Sequence, residues 1–228
     1  PRMRVLDLNQ DGASGLLTEP VGRWFTPTPY GGCFVATTSD AFRQVWQTDG
    51  TVAGTRALGV SLDDPNEKST PILLCAQDGS GVCFDLLFRS DGTSRIRRLP
   101  PPPYSGHAGP VTLVRELISS RQPTLLAATS QVLYYAVPQD LGSVQLWRTD
   151  GTETGTWLVR VFFSAGSDGA GIIDEATLLG NNLLFTFNSG QDGRELWLSP
   201  GAPGGIGTVI LADLAPGSDG SKPSGLTR

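Results

Sequence analysis

The residues that could carry out acid-base or nucleophilic chemistry are few in this sequence, and they are not grouped as a catalytic site requires. His107 is the only histidine, and no Gly-x-Ser-x-Gly motif is present to hold a serine nucleophile beside a base. The carboxylate pairs Asp63-Asp64 and Asp174-Glu175 are each adjacent in the chain, whereas the two acids of a glycosidase come from separate elements. The sequence therefore predicts no enzymatic activity.

One segment resembles the first half of a calcium-binding loop. Asp7, Asn9 and Asp11 have the alternate spacing of oxygen ligands, and Gly12 follows them. Thr18 stands at the twelfth position, where such a loop needs a bidentate carboxylate. Asp7, Asn9 and Asp11 are the candidate Ca²⁺ ligands, but without that carboxylate we expect no bound metal and no cofactor.

The three cysteines allow two interpretations. Cys75 and Cys83 are equidistant from Gly79, so a hairpin that turns there would place them opposite each other. They could then form a disulfide in an oxidising compartment, which would leave Cys33 unpaired. All three could instead be small buried apolar residues, because free cysteine is often found in protein cores. A zinc site is not expected, since cysteine and histidine lack closely spaced pairs.

The elements that must position these residues are indicated by a repeated pattern, an aromatic residue followed by Asp-Gly-Thr. Three copies are centred on Trp46, Phe88 and Trp147, and a fourth, centred on Trp197, has Pro200-Gly201 in place of Asp-Gly; the intervals are 42, 59 and 50 residues. A period close to fifty, with several strands in each unit, is typical of propeller blades. Each Asp-Gly is expected to close a β-hairpin, and each aromatic residue is expected to pack between units rather than to bind a ligand.

Alignment of the copies on the aromatic residue gives about four strands per unit. The predicted fold is all-β: a β-propeller of about four four-stranded blades, either a whole small propeller or part of a larger one. We expect one repeat domain over residues 1–228, and its segments are an N-terminal strand at 3–8, blades at about 16–61, 62–99, 111–162 and 172–214, and a C-terminal connector at 215–228. The second unit is then short and the third unit long.

The same motif carries a resemblance to a known family. The stretch 145–156, which contains Leu146-Trp147 and Asp150-Gly151-Thr152, resembles the ELWxxDGT repeat of secreted and surface proteins of myxobacteria and other bacteria. The resemblance implies a propeller-like architecture and an extracellular, periplasmic or cell-surface location. The family has no defined enzymatic activity, so the resemblance supplies no catalytic residues.

A proline-rich insertion is the most individual part of the sequence. Four consecutive prolines at 100–103 favour an extended polyproline II segment, which either binds an aromatic groove of another protein or acts as a stiff connector. Tyr104, His107 and Arg115 lie in or shortly after this segment and are the candidate binding residues. The apolar residues of 111–120 fit a helical turn and a strand equally well.

The charge balance narrows the class of partner. With 17 basic and 22 acidic residues the net charge is −5, which argues against general binding of nucleic acid or of anionic lipid. No run of 18 apolar residues is present, so direct membrane insertion is not expected. Arg95 and Arg97 alternate along a predicted strand, and we expect them on its solvent-exposed face.

Together these observations favour a non-catalytic structural or protein-interaction module of an extracellular or cell-envelope bacterial protein. Its partners would be other protein subunits or the remainder of a longer chain. One alternative is a carbohydrate-binding, lectin-like propeller, which requires exposed tryptophans. A second alternative is an enzyme with a site in the central funnel, which requires several polar groups that converge on the axis. The fold by itself does not distinguish these functions.

Overall fold

The chain forms β-sheets throughout the part that the structure describes. The computed structural model describes residues 25–28, 31–37, 43–61, 72–89, 91–99, 112–139, 142–164, 172–173 and 175–226. Within these ranges there are sixteen β-strands and a short 3-10 turn at Pro203–Gly205, and no α-helix. The all-β prediction is therefore confirmed. In these ranges, no helix has the length and hydropathy needed to cross a bilayer.

The strands form four antiparallel sheets of four strands, and in each sheet the strands lie side by side in chain order. The first sheet contains β1 (Phe25–Thr28), β2 (Gly31–Thr37), β3 (Arg43–Thr48) and β4 (Arg56–Ser61), and the second contains β5 (Ile72–Cys75), β6 (Cys83–Phe88), β7 (Thr93–Leu99) and β8 (Thr112–Ile118). The third sheet contains β9 (Thr124–Ala128), β10 (Leu133–Pro138), β11 (Ser143–Thr149) and β12 (Trp157–Phe163), and the fourth contains β13 (Ala176–Leu179), β14 (Asn182–Asn188), β15 (Arg194–Ser199) and β16 (Val209–Ala212).

The sheets are arranged as the blades of a propeller. Their first strands contact each other in sequence, β1 with β5, β5 with β9 and β9 with β13, so these strands line the centre. The second strands β6 and β10 are buried along almost their whole length, because each is covered by a neighbouring sheet on both faces. The fourth strands β8 and β16 are largely exposed and form the outer edges. The predicted propeller of four-stranded blades is therefore confirmed, and the sheets are called blades 1 to 4 below.

The blade boundaries differ from the predicted ones in the middle of the chain. β8 pairs with β7, so the ambiguous segment 111–120 contains the last strand of blade 2 and not the first strand of blade 3. Blade 2 thus extends over 72–118 instead of 62–99, and blade 3 begins at Thr124 instead of 111. The short second unit and the long third unit that the sequence predicts are not found. The first strands of the four blades begin at Phe25, Ile72, Thr124 and Ala176, at intervals of 47, 52 and 52 residues.

Polar contacts join blades 2, 3 and 4 where their first strands end. The backbone N–H of Gln77, just after β5, donates to the carbonyl of Ala128 at 2.8 Å, and the Gln77 side-chain oxygen accepts from the N–H of Leu178 at 3.1 Å. In the adjacent turn, Asp78 accepts a hydrogen bond from the N–H of Ser130 at 2.6 Å. Gln77 therefore connects blade 2 to both of the blades that follow it.

The C-terminal connector is fixed to blade 4 by two carboxylates. Glu195 of β15 is fully buried and accepts a hydrogen bond from the N–H of Ser221 at 2.6 Å. Glu175, just before β13, accepts one from the N–H of Leu226 at 2.8 Å. Glu195 stands two residues before Trp197, where blades 1 and 3 have Gln44 and Gln145, and it has a structural role in blade 4.

Two adjacent phenylalanines of β12 test the arrangement of the blades. Phe162 is 3% exposed and packs with its ring on Phe185, Phe187 and Trp197 of blade 4, whereas Phe163 is 71% exposed on the opposite face. We expect Phe162→Ala to lower the free energy of unfolding by about 3–5 kcal/mol, because it removes a ring from the interface between blades. Phe163→Ala should change it by less than about 0.5 kcal/mol.

Urea unfolding followed by tryptophan fluorescence measures both variants against the unmodified chain. Equal shifts of the unfolding midpoint for the two variants would contradict the assigned packing of blade 3 on blade 4.

Candidate functional site

The candidate site lies between blades 1 and 2, where blade 2 departs from a packing arrangement that the other three blades share. In blades 1, 3 and 4 an aromatic residue of the second strand stands directly opposite a tryptophan of the third strand. The pairs are Phe34 with Trp46, Tyr135 with Trp147 and Phe185 with Trp197, and their ring centroids are 6.4, 6.3 and 6.3 Å apart. A β-bulge against the fourth strand accompanies each tryptophan and re-aims its side chain.

The tryptophans of blades 3 and 4 are covered by arginines from the preceding blade. The Arg115 guanidinium of β8 lies 5.1 Å from the centroid of the Trp147 ring, and the Arg160 guanidinium of β12 lies 5.6 Å from that of Trp197. A guanidinium over an indole ring contributes roughly 0.5–2 kcal/mol, depending on how far it is desolvated. Arg115, a candidate binding residue from the sequence, thus takes part in the contact between blades 2 and 3.

In blade 2 the two aromatic positions are occupied by Asp85 and Arg97. These residues stand opposite each other on β6 and β7, and the bulge of β7 against β8 falls between Ile96 and Arg97. The Arg97 Nε donates to Asp85 Oδ1 at 3.0 Å and its Nη2 donates to Oδ2 at 2.7 Å. The Asp85 side chain is fully buried and that of Arg97 is 17% exposed. Blade 2 therefore has a bidentate, buried ion pair where the other blades stack aromatic rings.

This placement corrects the sequence-based expectation for Arg97 and the alignment of the repeat. The side chain of Arg97 is mostly buried rather than solvent-exposed, while Arg95 on the same strand is 38% exposed and pairs with Glu116. Arg97 and not Phe88 occupies the tryptophan position, since Trp46, Arg97, Trp147 and Trp197 follow at intervals of 51, 50 and 50 residues. The turn after Phe88 joins the second and third strands of blade 2, whereas the other Asp-Gly-Thr turns join the third and fourth strands.

The Asp-Gly-Thr turns of blades 1 and 3 have the same hydrogen bonds. In blade 3, Asp150 Oδ1 accepts from the N–H of Thr152 at 2.9 Å and from its hydroxyl at 2.7 Å, and the Thr152 hydroxyl accepts from the N–H of Gly155 at 2.9 Å. A Cβ on Gly155 would lie 2.0 Å from the Asp150 carboxyl group, so only glycine fits. The hydrogen bonds from Thr152 hold the pKa of Asp150 below its ordinary value. The aspartate is thus used to close the turn, as the sequence predicts.

Blade 4 builds the equivalent turn without an aspartate. Ser199 and Thr208 share a hydrogen bond between their hydroxyl groups at 2.8 Å, and the Ser199 hydroxyl accepts from the N–H of Gly201 at 3.1 Å. The carbonyl of Gly201 accepts a hydrogen bond from the indole N–H of Trp157 in blade 3 at 2.9 Å. This turn therefore also contributes to the contact between neighbouring blades.

Three buried cysteines lie beside the ion pair between blades 1 and 2. Cys75 and Cys83 stand opposite each other on β5 and β6 and form a disulfide. Cys33 of β2 is a free thiol, and its Sγ lies 3.6 Å from that of Cys83. Burial raises the pKa of the Cys33 thiol to about 11, so it is protonated at neutral pH. The three sulfur atoms lie within 4.8 Å of one another, and the spacing of the cysteines in the sequence contains no signal of this convergence.

Five candidate residues from the sequence are in segments that the structure does not describe. Tyr104 and His107 lie outside the described residues, as do the candidate Ca²⁺ ligands Asp7, Asn9 and Asp11 and the predicted strand 3–8. For these residues the assignments stay predictions from the sequence.

The buried ion pair of Asp85 and Arg97 leads to a prediction about stability. The exposed ion pair of Arg95 and Glu116 in the same sheet serves as its control. Asp85→Ala should lower the free energy of unfolding by about 3–5 kcal/mol, because it leaves the Arg97 charge buried without its carboxylate. Glu116→Ala removes the exposed partner of Arg95, at 3.3 Å, and should cost less than about 1 kcal/mol. The double variant Asp85→Leu, Arg97→Met should recover most of the loss, since an apolar pair can replace a buried ion pair.

Equilibrium unfolding in urea checks all three variants. If Asp85→Ala were no more destabilising than Glu116→Ala, the ion pair would not be buried as described.

The turn of blade 3 generates a prediction about acid stability. The pKa of Asp150 is lower in the folded chain than in the unfolded chain, so its contribution is present above the unfolded pKa of about 3.8 and is lost as the pH falls through the lower folded value. Asp150→Asn keeps an acceptor oxygen but does not titrate. The difference in unfolding free energy between the unmodified chain and Asp150→Asn should therefore shrink from about pH 5 to about pH 2.

Urea unfolding at a series of pH values measures this difference. A difference that is constant over this range would show that the Asp150 carboxylate does not close the turn through its charge.

The comparisons with known proteins support the fold. No family model and no curated protein matches the chain. Among solved structures, a puromycin-hydrolysing peptidase of Mycobacterium tuberculosis aligns over 82% of this chain and 30% of its own, with a TM-score of 0.51 and 13% identity. Prolyl oligopeptidase B of Galerina marginata aligns over 79% of this chain and 26% of its own, with a TM-score of 0.50 and 9% identity. The WD40 domain of SCAP from fission yeast aligns over 82% of this chain and 40% of its own, with a TM-score of 0.47 and 10% identity.

The chain thus spans less than half the length of each of these proteins. At these identities the likeness to the two structures with a TM-score of at least 0.50 concerns the fold alone.

Proposed function

We propose that this chain is a non-catalytic β-propeller module that binds another protein, or the remainder of a longer chain, outside the cytoplasm. The observation that carries the proposal is the apolar character of the outermost strands. Large apolar side chains are exposed on the fourth strands of blades 2, 3 and 4, and they are Leu113, Ile118, Phe163, Val209 and Leu211. Exposed apolar residues that recur on one part of a surface are typical of interaction sites.

Two of these residues occupy equivalent positions in neighbouring blades. Ile118 pairs with Thr93, the first residue of β7, and Phe163 pairs with Ser143, the first residue of β11. Ile118 is 86% exposed and Phe163 is 71% exposed. We call Ile118 and Phe163 the rim pair. A repeated exposed apolar residue at one position of the blade gives a partner two regularly spaced anchor points.

The outer strands also offer backbone hydrogen-bonding groups. β8 and β12 are the edge strands of their sheets, and each pairs with a neighbour on one side only. An extended segment of a partner can add to such an edge, with backbone hydrogen bonds for affinity and apolar pockets for specificity. The rim pair together with these edges fits a protein partner better than a small polar ligand.

The lectin-like alternative lacks the repeated sugar-binding surface that it needs. It requires exposed tryptophans at equivalent positions, yet Trp197 is 7% exposed and the ring of Trp147 is covered by Arg115. Trp147 and Trp197 are thus used for packing between blades. We therefore prefer protein binding to carbohydrate binding.

An extracellular, periplasmic or cell-surface setting accords with the proposal. The disulfide between Cys75 and Cys83 is a bond that forms and persists in oxidising compartments. The resemblance to the ELWxxDGT repeat points to the same setting. The polar turns of blades 1 and 3 use their carboxylates to hold the backbone, which leaves them poorly suited to catalysis.

The experiment compares partner capture by the unmodified chain and by a rim variant. Purified chain is immobilised and exposed to the secreted and envelope fractions of the source organism, and retained proteins are identified by mass spectrometry. The double variant Ile118→Arg, Phe163→Arg should reduce capture of the specific partner at least tenfold, because a buried charge opposes docking of an apolar surface. Val52→Arg is the matched control, since Val52 is 45% exposed in the turn of blade 1.

Equal capture by the rim variant and by Val52→Arg would overturn the assignment of the rim pair. A glycan array run in parallel addresses the alternative, and we expect no saturable binding there. Saturable glycan binding that persists in the rim variant would favour the lectin-like function instead.

A further inference from the structure

The three cysteines between blades 1 and 2 form a compact sulfur cluster that the proposed function does not use. Cys33 comes from β2 of blade 1, whereas Cys75 and Cys83 come from β5 and β6 of blade 2. All three are buried, and their sulfur atoms lie within 4.8 Å of one another. Three thiolates bound to one ion at about 2.3 Å in a trigonal arrangement lie about 4 Å apart. The limit of 4.8 Å accommodates a three-coordinate sulfur site once the bond between the Cys75 and Cys83 sulfur atoms is broken.

The surroundings of the cluster are apolar. The buried residues packed around the sulfur atoms are Val35, Val45, Leu73, Leu87 and Leu99. The Asp85 carboxylate, two residues along β6 from Cys83, is engaged by Arg97 in a bidentate ion pair. The cluster therefore has no surplus positive charge beside it among the described residues, and a complex with net negative charge would be costly to bury there.

In the oxidised chain the cluster cannot bind an ion. Two of its sulfur atoms are joined in the disulfide between Cys75 and Cys83, which leaves Cys33 as the one free thiol of the cluster. Reduction of the disulfide gives three neutral thiols at the same place. A phosphine reductant supplies the two electrons, becomes a phosphine oxide with an oxygen atom from water, and leaves the two protons of that water on Cys75 and Cys83.

We propose that the reduced cluster of Cys33, Cys75 and Cys83 is a binding site for a trivalent thiophilic ion of the arsenic(III) class. The reaction with arsenous acid balances without electron transfer: three arsenic–sulfur bonds form, three arsenic–oxygen bonds break, and the thiol protons leave on the three hydroxyl groups as water. Three thiolates and a trivalent ion give a neutral complex, which suits the apolar surroundings. A divalent ion such as Zn²⁺ would leave one negative charge and a monovalent ion such as Cu⁺ would leave two.

Binding of such an ion would connect the two blades. The ion would join β2 of blade 1 to β5 and β6 of blade 2, whereas the disulfide joins β5 only to β6. The disulfide thus closes the site, and reduction opens it.

The test uses the full chain, reduced with a water-soluble phosphine under anaerobic conditions and then mixed with arsenite. Native mass spectrometry should show one arsenic atom bound per chain with the loss of three protons. All three cysteines should then resist alkylation by iodoacetamide, whereas the unreduced chain should bind no arsenic. An excess of Zn²⁺ should not displace the bound arsenic.

Cys33→Ala leaves a two-thiol site and should weaken arsenic binding at least tenfold, while Val52→Ala in the exposed turn of blade 1 should leave it unchanged. Circular dichroism shows whether each variant is folded, and the alkylation pattern of the unmodified chain tests the site without any substitution. Equal affinity in Cys33→Ala, or alkylation of Cys33 in the arsenic-bound chain, would overturn the three-sulfur site. Displacement by Zn²⁺ would overturn the assignment to a trivalent ion.

Discussion

The structure depends on burial of the second and third strands of each blade against the blade before it. Trp147 and Trp197 stand at a bulge of the third strand, stack on an aromatic residue of the second strand, and are covered by an arginine of the preceding blade. A single four-stranded sheet cannot cover both of its faces, so each blade requires neighbours on both sides. Trp147 and Trp197 are therefore central to the contacts that join blade 2 to blade 3 and blade 3 to blade 4.

The repeat could be recognised from the sequence, but its phase in blade 2 could not. Trp46, Trp147 and Trp197 give the period correctly, and the Asp-Gly turns after Trp46 and Trp147 identify the hairpin through their local conformational signature. Phe88 is followed by the same Asp-Gly-Thr signature, although its hairpin joins a different pair of strands. Local turn chemistry identifies a hairpin without showing which strands of the blade it connects. The residue at the tryptophan position of blade 2 is Arg97, which no pattern based on aromatic residues would find.

The candidate site shows the same limit of sequence reasoning. The facing positions of Cys75 and Cys83 follow from symmetry about Gly79, but the sequence leaves open whether the two form a disulfide, and the structure supplies that bond. The approach of Cys33 to these residues and the pairing of Arg97 with Asp85 depend on how blade 1 docks on blade 2 and on the register of two strands. Such contacts arise between parts of the chain that are distant in sequence, and they cannot be predicted from composition or from the spacing of residues. The residues of the repeat, by contrast, have structural roles. Trp197 packs on Phe185, Asp150 closes the turn of blade 3, and Glu195 fixes the C-terminal connector to blade 4.

The ion pair of blade 2 makes one joint between blades different from the others. Propellers made of similar blades risk docking a sheet on the wrong neighbour during folding, because an aromatic face fits several apolar surfaces almost equally well. The face of blade 2 that bears Asp85 and Arg97 is unlike the others, because a bidentate ion pair stands where blades 1, 3 and 4 stack aromatic rings. The substitution that breaks the regularity of the repeat thereby distinguishes the joint between blades 1 and 2 from the other joints.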